Sequence, residues 1–475
     1  MRCDIIIVLD FSGRTVIFLV AVKKLFMPRK DVDMTEGGIL GHIVRFSIPL
    51  MLGNLLQQLY NMVDTWVVGN FVDGEAFSAV GTVGPILTLL ISFFTGFATG
   101  AGVVVSQYFG AKKYDGVKRS VHTAFLATII IGLAMSVIGI ALVPLLLEVM
   151  KMPMEVRDEA TQYLTIYFAG ALGLVIYNIG SGILRSVGDS TKPFYFLAVS
   201  AFVNTVLDLV FVLCFDMGVA GVAYATIIAQ GVSAVLVIIT LIRTTSCVKL
   251  DMHAMRIDKE ILFKIVKIGL PIGLRLGVTA FSNVFVQSYI NYFGKEVMGG
   301  WTAYSKIDQF VLLPMQSISV ASTTFVGQNL GAGDPARAKK GVNISVITAV
   351  IATAVISIPA IAFAPSLVEF FNKDAKIIEF GAIFLRWITP FYVLCCINQI
   401  YSGALNGAGK SSVSMIILLS SFVGFRQLYL FVMANFISNT IIPISMAYPA
   451  GWLVCSTLML LYYRKADFSK SKIVK

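Results

Sequence analysis

Stretches of about twenty apolar residues recur along almost the whole of this chain, and nothing else in the sequence limits its fold as strongly. A helix of that length crosses a hydrocarbon core of about 30 Å, where each backbone polar group must be satisfied within the protein. The runs are apolar on most sides rather than on one face, which separates membrane helices from amphipathic surface ones. Twelve spans are expected, near residues 42–69, 79–106, 119–143, 159–184, 193–214, 219–242, 262–292, 301–328, 341–363, 376–403, 412–434 and 440–463. Composition agrees, with 57% hydrophobic and 13% charged residues against roughly 25% charged in soluble domains. An all-α polytopic membrane protein follows.

The net charge of +11 does not mark a nucleic-acid binder, because the basic residues form no patch. They fall in alternate loops: 27 of the 37 lie in the N-terminal segment, every second loop and the tail, and only five in the intervening loops. By the positive-inside rule both termini and the central loop are cytoplasmic, in a multi-pass protein of the cell inner (plasma) membrane. The expected organisation is an N-terminal extension at 1–33, a first lobe at 34–242 carrying helices 1–6, and a cytoplasmic linker at 243–260. A second lobe at 261–463 carries helices 7–12, and a basic tail fills 464–475. The run from Thr15 to Val22 is too short to span and lacks a small-residue cleavage site. It reads as a loosely ordered extension or as an over-called start, with Met34 as the alternative initiator. Six cysteines without paired spacing (Cys3, Cys214, Cys247, Cys395, Cys396, Cys455) are expected to be free thiols.

The two halves echo each other. Phe46-Ser47-Ile48-Pro49 matches Ile268-Gly269-Leu270-Pro271 at an offset of 222. Ser106-Gln107-Tyr108-Phe109-Gly110-Ala111 matches Gly327-Gln328-Asn329-Leu330-Gly331-Ala332 at 221, and Gly182-Ile183-Leu184 with Gly188-Asp189-Ser190 matches Gly403-Ala404-Leu405 with Gly409-Lys410-Ser411, also at 221. Six helices per half is an even number, so the halves form parallel repeats about an axis along the membrane normal, with a substrate path expected at their interface.

A carboxylate at the centre of a membrane helix costs at least about 2.5 kcal/mol, so Asp64 and Asp208 are functional candidates. Each has a polar residue four positions earlier on the same helical face, Tyr60 and Asn204. Asn178 in helix 4 and Thr226 in helix 6 add oxygens. The equivalent positions in the second half are Val286 for Asp64, Tyr429 for Asp208 and Phe425 for Asn204, so the polar set belongs to the first half alone. The cluster could load protons near neutral pH or bind Na⁺, a hard cation that takes oxygen ligands. The competing reading is that the aspartates only bond neighbouring helices. The ionisable groups of the second half are Arg275, Lys306, Asp308, Arg386 and Arg426; the arginines could snorkel or bond helix-end carbonyls. His42, His122 and His253 are expected near the cytoplasmic face in ordinary contacts. Pro49, Pro85, Pro271, Pro314, Pro390 and Pro443 interrupt spans and permit kinks. Pro49 lies fifteen residues before Asp64 on the same helix, where a bend could link ion loading to helix movement; a static kink is the alternative.

Residues 404–411 approach a phosphate-binding loop, but Ala404 replaces its first glycine and no strand precedes it, so a tight turn is expected. No catalytic motif is present. Transport without a nucleotide site would have to run on an ion gradient, with no cofactor beyond the coupling ion.

These residues resemble those of the multidrug and toxic compound extrusion (MATE) family over roughly 34–463. The resemblance is carried by Pro49-Leu50-Met51, Tyr60-Asn61-Met62-Val63-Asp64-Thr65, Gln107 through Ala111 with its Gln328 counterpart, Arg185-Ser186-Val187-Gly188-Asp189, and Asn204 with Asp208. It is closest to the prokaryotic branch with an ion site in the N-terminal lobe. The resemblance implies V-shaped six-helix lobes and export of amphipathic, often cationic small molecules in exchange for H⁺ or Na⁺. It places the cation site on Tyr60, Asp64, Asn178, Asn204, Asp208 and Thr226, and the bending proline on Pro49. Other branches use acids in helices 7 and 10, where this chain has Thr279 and Cys395-Cys396. Small-molecule substrates, the lipid bilayer and a monomeric state are expected, without nucleic acid; a flippase for lipid-linked precursors is the alternative.

Overall fold

The structure is a computed structural model and describes residues 31–72, 74–150, 152–468, 473 and 474. Residues 1–30, most of the expected extension, lie outside the described residues. Among the described residues there is no strand. The helices are α1 (Ile39–Phe71), α2 (Gly74–Gly110), α3 (Tyr114–Val149), α4 (Met154–Ser186), α5 (Thr191–Cys214) and α6 (Gly218–Arg243). They continue with α7 (Lys259–Asn291), α8 (Lys295–Ala332), α9 (Pro335–Ala362), α10 (Ala375–Gly407), α11 (Ser411–Ile437) and α12 (Ile441–Lys465).

Eleven of these are long and apolar enough to cross a membrane. The twelfth, α7, has 33 residues, with Lys259, Glu260, Lys264 and Lys267 in its first nine and Arg275 further along. Proline shapes the helices unevenly. α1 runs unbroken through Pro49. In α10 a tight turn at Thr389–Phe391 contains Pro390, and α12 breaks between Ser445 and Ala447 shortly after Pro443.

The repeat is visible in the backbone. The turn after α2 closes with the Lys112 N–H donating to the Phe109 carbonyl and the Lys113 N–H to Tyr108; the turn after α8 repeats this as Gly333 to Leu330 and Asp334 to Asn329. Lys112 and Gly333 both take positive φ, 56° and 83°. The turns after α4 and α10 correspond equally well. Gly188 donates to Arg185 and Asp189 to Leu184, as Gly409 does to Asn406 and Lys410 to Leu405. Gly188 (φ 85°) and Gly409 (φ 71°) occupy the left-handed region where a Cβ is unfavourable. The phosphate-loop-like segment is thus a helix-to-helix turn. Near the ends of α5 and α11 the helix loosens to wider turns, at Val210–Cys214 and Met433–Ile437, with another in α11 at Ser420–Phe425.

Packing divides the chain into two units. Of the described residues, one unit contains those of Leu52–Leu87 and Tyr114–Leu262 with Asp31 and Val32; the other contains those of Asp33–Met51, Thr88–Lys113 and Phe263–Lys475. The division differs from sequence boundaries at 34–242 and 261–463, because the start of α1 and the end of α2 pack with the second half. Within that second unit the end of α2 meets the end of α8 backbone to backbone. A Cβ at Gly110 would stand 1.9 Å from the Gln328 carbonyl oxygen, and one at Gly331 would stand 2.1 Å from that of Gln107. The two glutamines hold flanking chain: Gln328 Oε1 accepts from the buried Met34 N–H at 2.8 Å, and the Gln107 amide donates to the Gly407 carbonyl at 3.0 Å. Arg337 donates to the carbonyls of Met34, Glu36 and Gly37.

In the first unit α4 and α6 lie close at small residues, with Gly173 against Gly231, a spacing that gives membrane helices their van der Waals contact. The segment between α6 and α7 is tied to α3: the Asp251 N–H donates to His122 Nε2 at 3.0 Å, and Arg119 pairs with Asp258 at 3.1 Å. Five cysteines are free among the described residues, and Cys3 lies outside them. Burial, reinforced by the neighbouring Asp31 carboxylate, pushes the Cys247 thiol up to about 12.

Candidate ion-coupling site

Four helices of the first unit supply the site: the second half of α1, and α4, α5 and α6. Asp208 sits in the last regular turn of α5, immediately before the chain widens at Val210, a deviation that recurs at functional sites in helices. Asp208 is fully buried and Asn204, one turn earlier, is 2% exposed. Asp64 of α1 reaches across to within hydrogen-bonding range of Asp208.

The polar atoms of the site are largely unpaired. Asp64 Oδ1, both oxygens of Asp208, and both side-chain atoms of Asn204 are buried without a hydrogen-bond partner. Two carboxylates in contact cannot both stay charged unless a proton or a cation stands between them. The orphaned oxygens of Asp64, Asp208 and Asn204 form an oxygen-rich cradle suited to either.

The structure brings together Asp64, Asp208, Asn204 and Tyr60, which neighbours Asp64 and bonds Gln57. Asn178 and Thr226 lie on the expected helices but bond within them: the Asn178 amide donates to the Leu174 carbonyl at 2.8 Å and the Thr226 hydroxyl to Val222 at 2.9 Å. Neither bonds an aspartate in this structure. Pro49 is on α1 in the other packing unit.

Two buried tyrosines of α4 were missed in the sequence. Tyr163 neighbours both aspartates and Tyr60, and its ring stacks on Tyr167 with centroids 6.2 Å apart. Tyr167 in turn bonds Gln230 of α6. Their signal was a polar stripe at helical spacing, Glu159, Tyr163 and Tyr167, easily taken for an aromatic core.

In the second unit Asp308 is held by the hydroxyl groups of Tyr392 and Tyr304, the latter at 3.5 Å. Lys306 and Arg386 are exposed. Arg426 bonds Ser282 and Asn283 side chains, both at 2.9 Å, rather than helix-end carbonyls. An apolar cavity of about 440 Å³, lined by Ile307, Phe310, Pro359 and Phe363 among others, lies in this unit and contains no residue of the acidic cluster.

The MatE family model matches the chain twice, at residues 49–210 and 271–432. The two matches are 222 residues apart, the spacing of the internal repeat. Among curated relatives, the probable multidrug resistance protein YpnP of Bacillus subtilis is 29% identical over 94% of this chain and 99% of its own length. The probable multidrug resistance protein NorM of Thermotoga maritima is 24% identical over 95% and 97%. Among solved structures, an outward-facing multidrug resistance MATE family transporter superposes with a TM-score of 0.88 at 23% identity, covering 94% of this chain and 99% of that one. A MOP superfamily transporter from Pyrococcus furiosus, described as having a binding pocket of reverse polarity, gives 0.87 at 23% over 92% and 98%. The duplicated match, in register with the duplicated turns, makes this chain a member of the MatE family of multi-pass membrane efflux transporters.

Proposed function

We propose that the chain is a secondary active antiporter of the plasma membrane, its termini cytoplasmic, that exports amphipathic and often cationic small molecules in exchange for H⁺ or Na⁺. The observation that carries this reading is the Asp64–Asp208 contact beside Asn204, in which Asp64 Oδ1 and both oxygens of Asp208 are buried without a partner. A site that needs a proton or cation to be stable in one state, and releases it in another, couples the gradient to the protein's alternation. Relatives named as multidrug resistance proteins support the cargo class. Tyr60, Tyr163 and Tyr167 ring the acids with phenol groups that can follow a change of charge. Asn178 and Thr226 complete the oxygen set if their side chains rotate away from their own helices, and Pro49 gives α1 a place to bend. No cofactor is required, and a single chain suffices.

The test is efflux of ethidium from proteoliposomes under an imposed ΔpH and, separately, an imposed ΔNa⁺. Wild type responds to one gradient, and Asp64→Asn and Asp208→Asn respond to neither while still inserting. Gradient-driven efflux at wild-type rates in both variants refutes the assignment. Movement of a lipid-linked sugar in the same vesicles, with no ethidium efflux, would favour the flippase alternative.

A further inference from the structure

The second unit carries one buried and one part-buried arginine with no carboxylate beside either. Arg426 of α11 is 2% exposed. Its Nη2 donates to the neutral oxygens of Ser282 and Asn283, its plane lies over Tyr448 at 4.9 Å, and its Nε has no partner. Arg275 of α7 lies beside Cys455 of α12, and its buried Nε is likewise unpartnered. Thr279, one turn on and on the same face of α7, has a buried hydroxyl without a partner. Among the described residues neither arginine forms an ion pair.

The positions are related by helix geometry. Arg275 and Ser282 are seven residues apart on α7, and Tyr448 and Cys455 seven apart on α12. Two helical turns, about 10 Å along the helix axis, therefore separate the two positions where α7 meets α11 and α12. The only carboxylate in these three helices is Glu260, in the first turn of α7. The central acid of the unit, Asp308 of α8, accepts instead from Tyr392 and Tyr304. Arginine stays charged in any protein setting, and an uncompensated buried charge is costly. Its planar fork matches a carboxylate or phosphate with two parallel hydrogen bonds.

We propose that Arg275 with Thr279, and Arg426 two turns away, form two anion-binding points along α7, and that the cargo includes amphipathic molecules bearing carboxylate or phosphate groups. This adds a second cargo class to the export reading and relies on that reading only for the direction of movement.

The test is direct binding to the purified full chain, measured by fluorescence polarisation of carboxyfluorescein without any gradient. Wild type is expected to bind saturably, Arg275→Gln and Thr279→Val to bind at least tenfold and about threefold more weakly, and Arg275→Lys to fall between wild type and Gln. Arg426→Gln should also lose at least tenfold. If that variant fails to fold, Arg275→Gln and Thr279→Val, which remove only unpartnered groups, decide the matter. Competition by phosphatidylglycerol, but not by inorganic phosphate, assigns the oxyanion to lipid; displacement by phosphate assigns it to soluble cargo. No binding by wild type, or equal binding by wild type and Arg275→Gln, overturns the proposal. Failure of gradient-driven ethidium efflux in wild type overturns antiport and leaves the two anion-binding points standing.

Discussion

Asp208→Asn should stabilise the folded protein while abolishing its coupled transport. Asp208 is fully buried, neither oxygen accepts a hydrogen bond, and its neighbour across the site is another carboxylate with an orphaned oxygen. Asparagine has nearly the same shape, removes one of the two acids, and offers an amide N–H to Asp64. An unsatisfied buried polar group costs about 1–3 kcal/mol, and the amide also removes the carboxylate–carboxylate contact. A gain of about 1–3 kcal/mol is therefore expected in sodium-free buffer at pH 8, seen as a rise of several degrees in Tm by intrinsic fluorescence in detergent. Sodium supplies a second readout. If Na⁺ is the coupling ion, the wild type gains about 2.7 kcal/mol at a hundredfold excess over Kd, which closes most of the gap, and the variant gains nothing. Efflux of ethidium by Asp208→Asn should be at background. A variant less stable than wild type in sodium-free buffer, or one that still pumps, would show that the aspartates are structural ties and not an ion site.

Gly110→Ala should destabilise the second unit by about 1–3 kcal/mol, the usual cost of overpacking, because its Cβ would stand 1.9 Å from the Gln328 carbonyl oxygen. Gly331→Ala should do the same, and the double variant should be clearly non-additive in thermal denaturation because both substitutions separate one crossing. Gly231→Ala, whose Cβ meets nothing within 4 Å, serves as the control and should change Tm little. Arg337→Gln removes three donated bonds to Met34, Glu36 and Gly37 and should speed hydrogen exchange across residues 33–38 at least tenfold, with transport retained. Tyr163→Phe keeps the ring stack and removes the hydroxyl beside the aspartates; it should leave Tm within a degree and alter the ion dependence of efflux.

Helix count, the repeat and the two membrane aspartates were legible because each rests on a strong local signal: apolar runs, matched turns, and charge where charge is expensive. The pairing of Asp64 with Asp208 followed only from their joint improbability, since 144 positions separate them. Asn178 and Thr226 read as further oxygens of the same half, and the structure finds both bonded to their own helices; rotamer state leaves no trace in sequence. Tyr163 and Tyr167 went unnoticed because a buried tyrosine beside a carboxylate has the same pattern as one in an apolar core. The division into packing units was also hidden. It depends on Gly110 and Gly331 admitting another helix's backbone, and the sequence alone does not reveal which partner a glycine meets.

The repeat separates two kinds of constraint. Where the backbone must turn left-handed, the halves agree, as at Gly188 and Gly409, and even Lys112 adopts the conformation of Gly333. Where side chains meet the membrane interior, the halves differ: the unpartnered charged groups are Asp64 and Asp208 in one and Arg275 and Arg426 in the other, while Asp308 of the second is held by tyrosine hydroxyl groups. A duplicated scaffold needs the same turns to close the same helices, so those positions are tied by geometry. Charge in a span is tied to nothing but its ligand, because a buried ionised group without one is a net cost. Two acids need a cation or a proton, and two arginines need an oxyanion. On the proposed reading the two clusters take two different ligands, a gradient ion at Asp64 and Asp208 and a charged cargo group at Arg275 and Arg426.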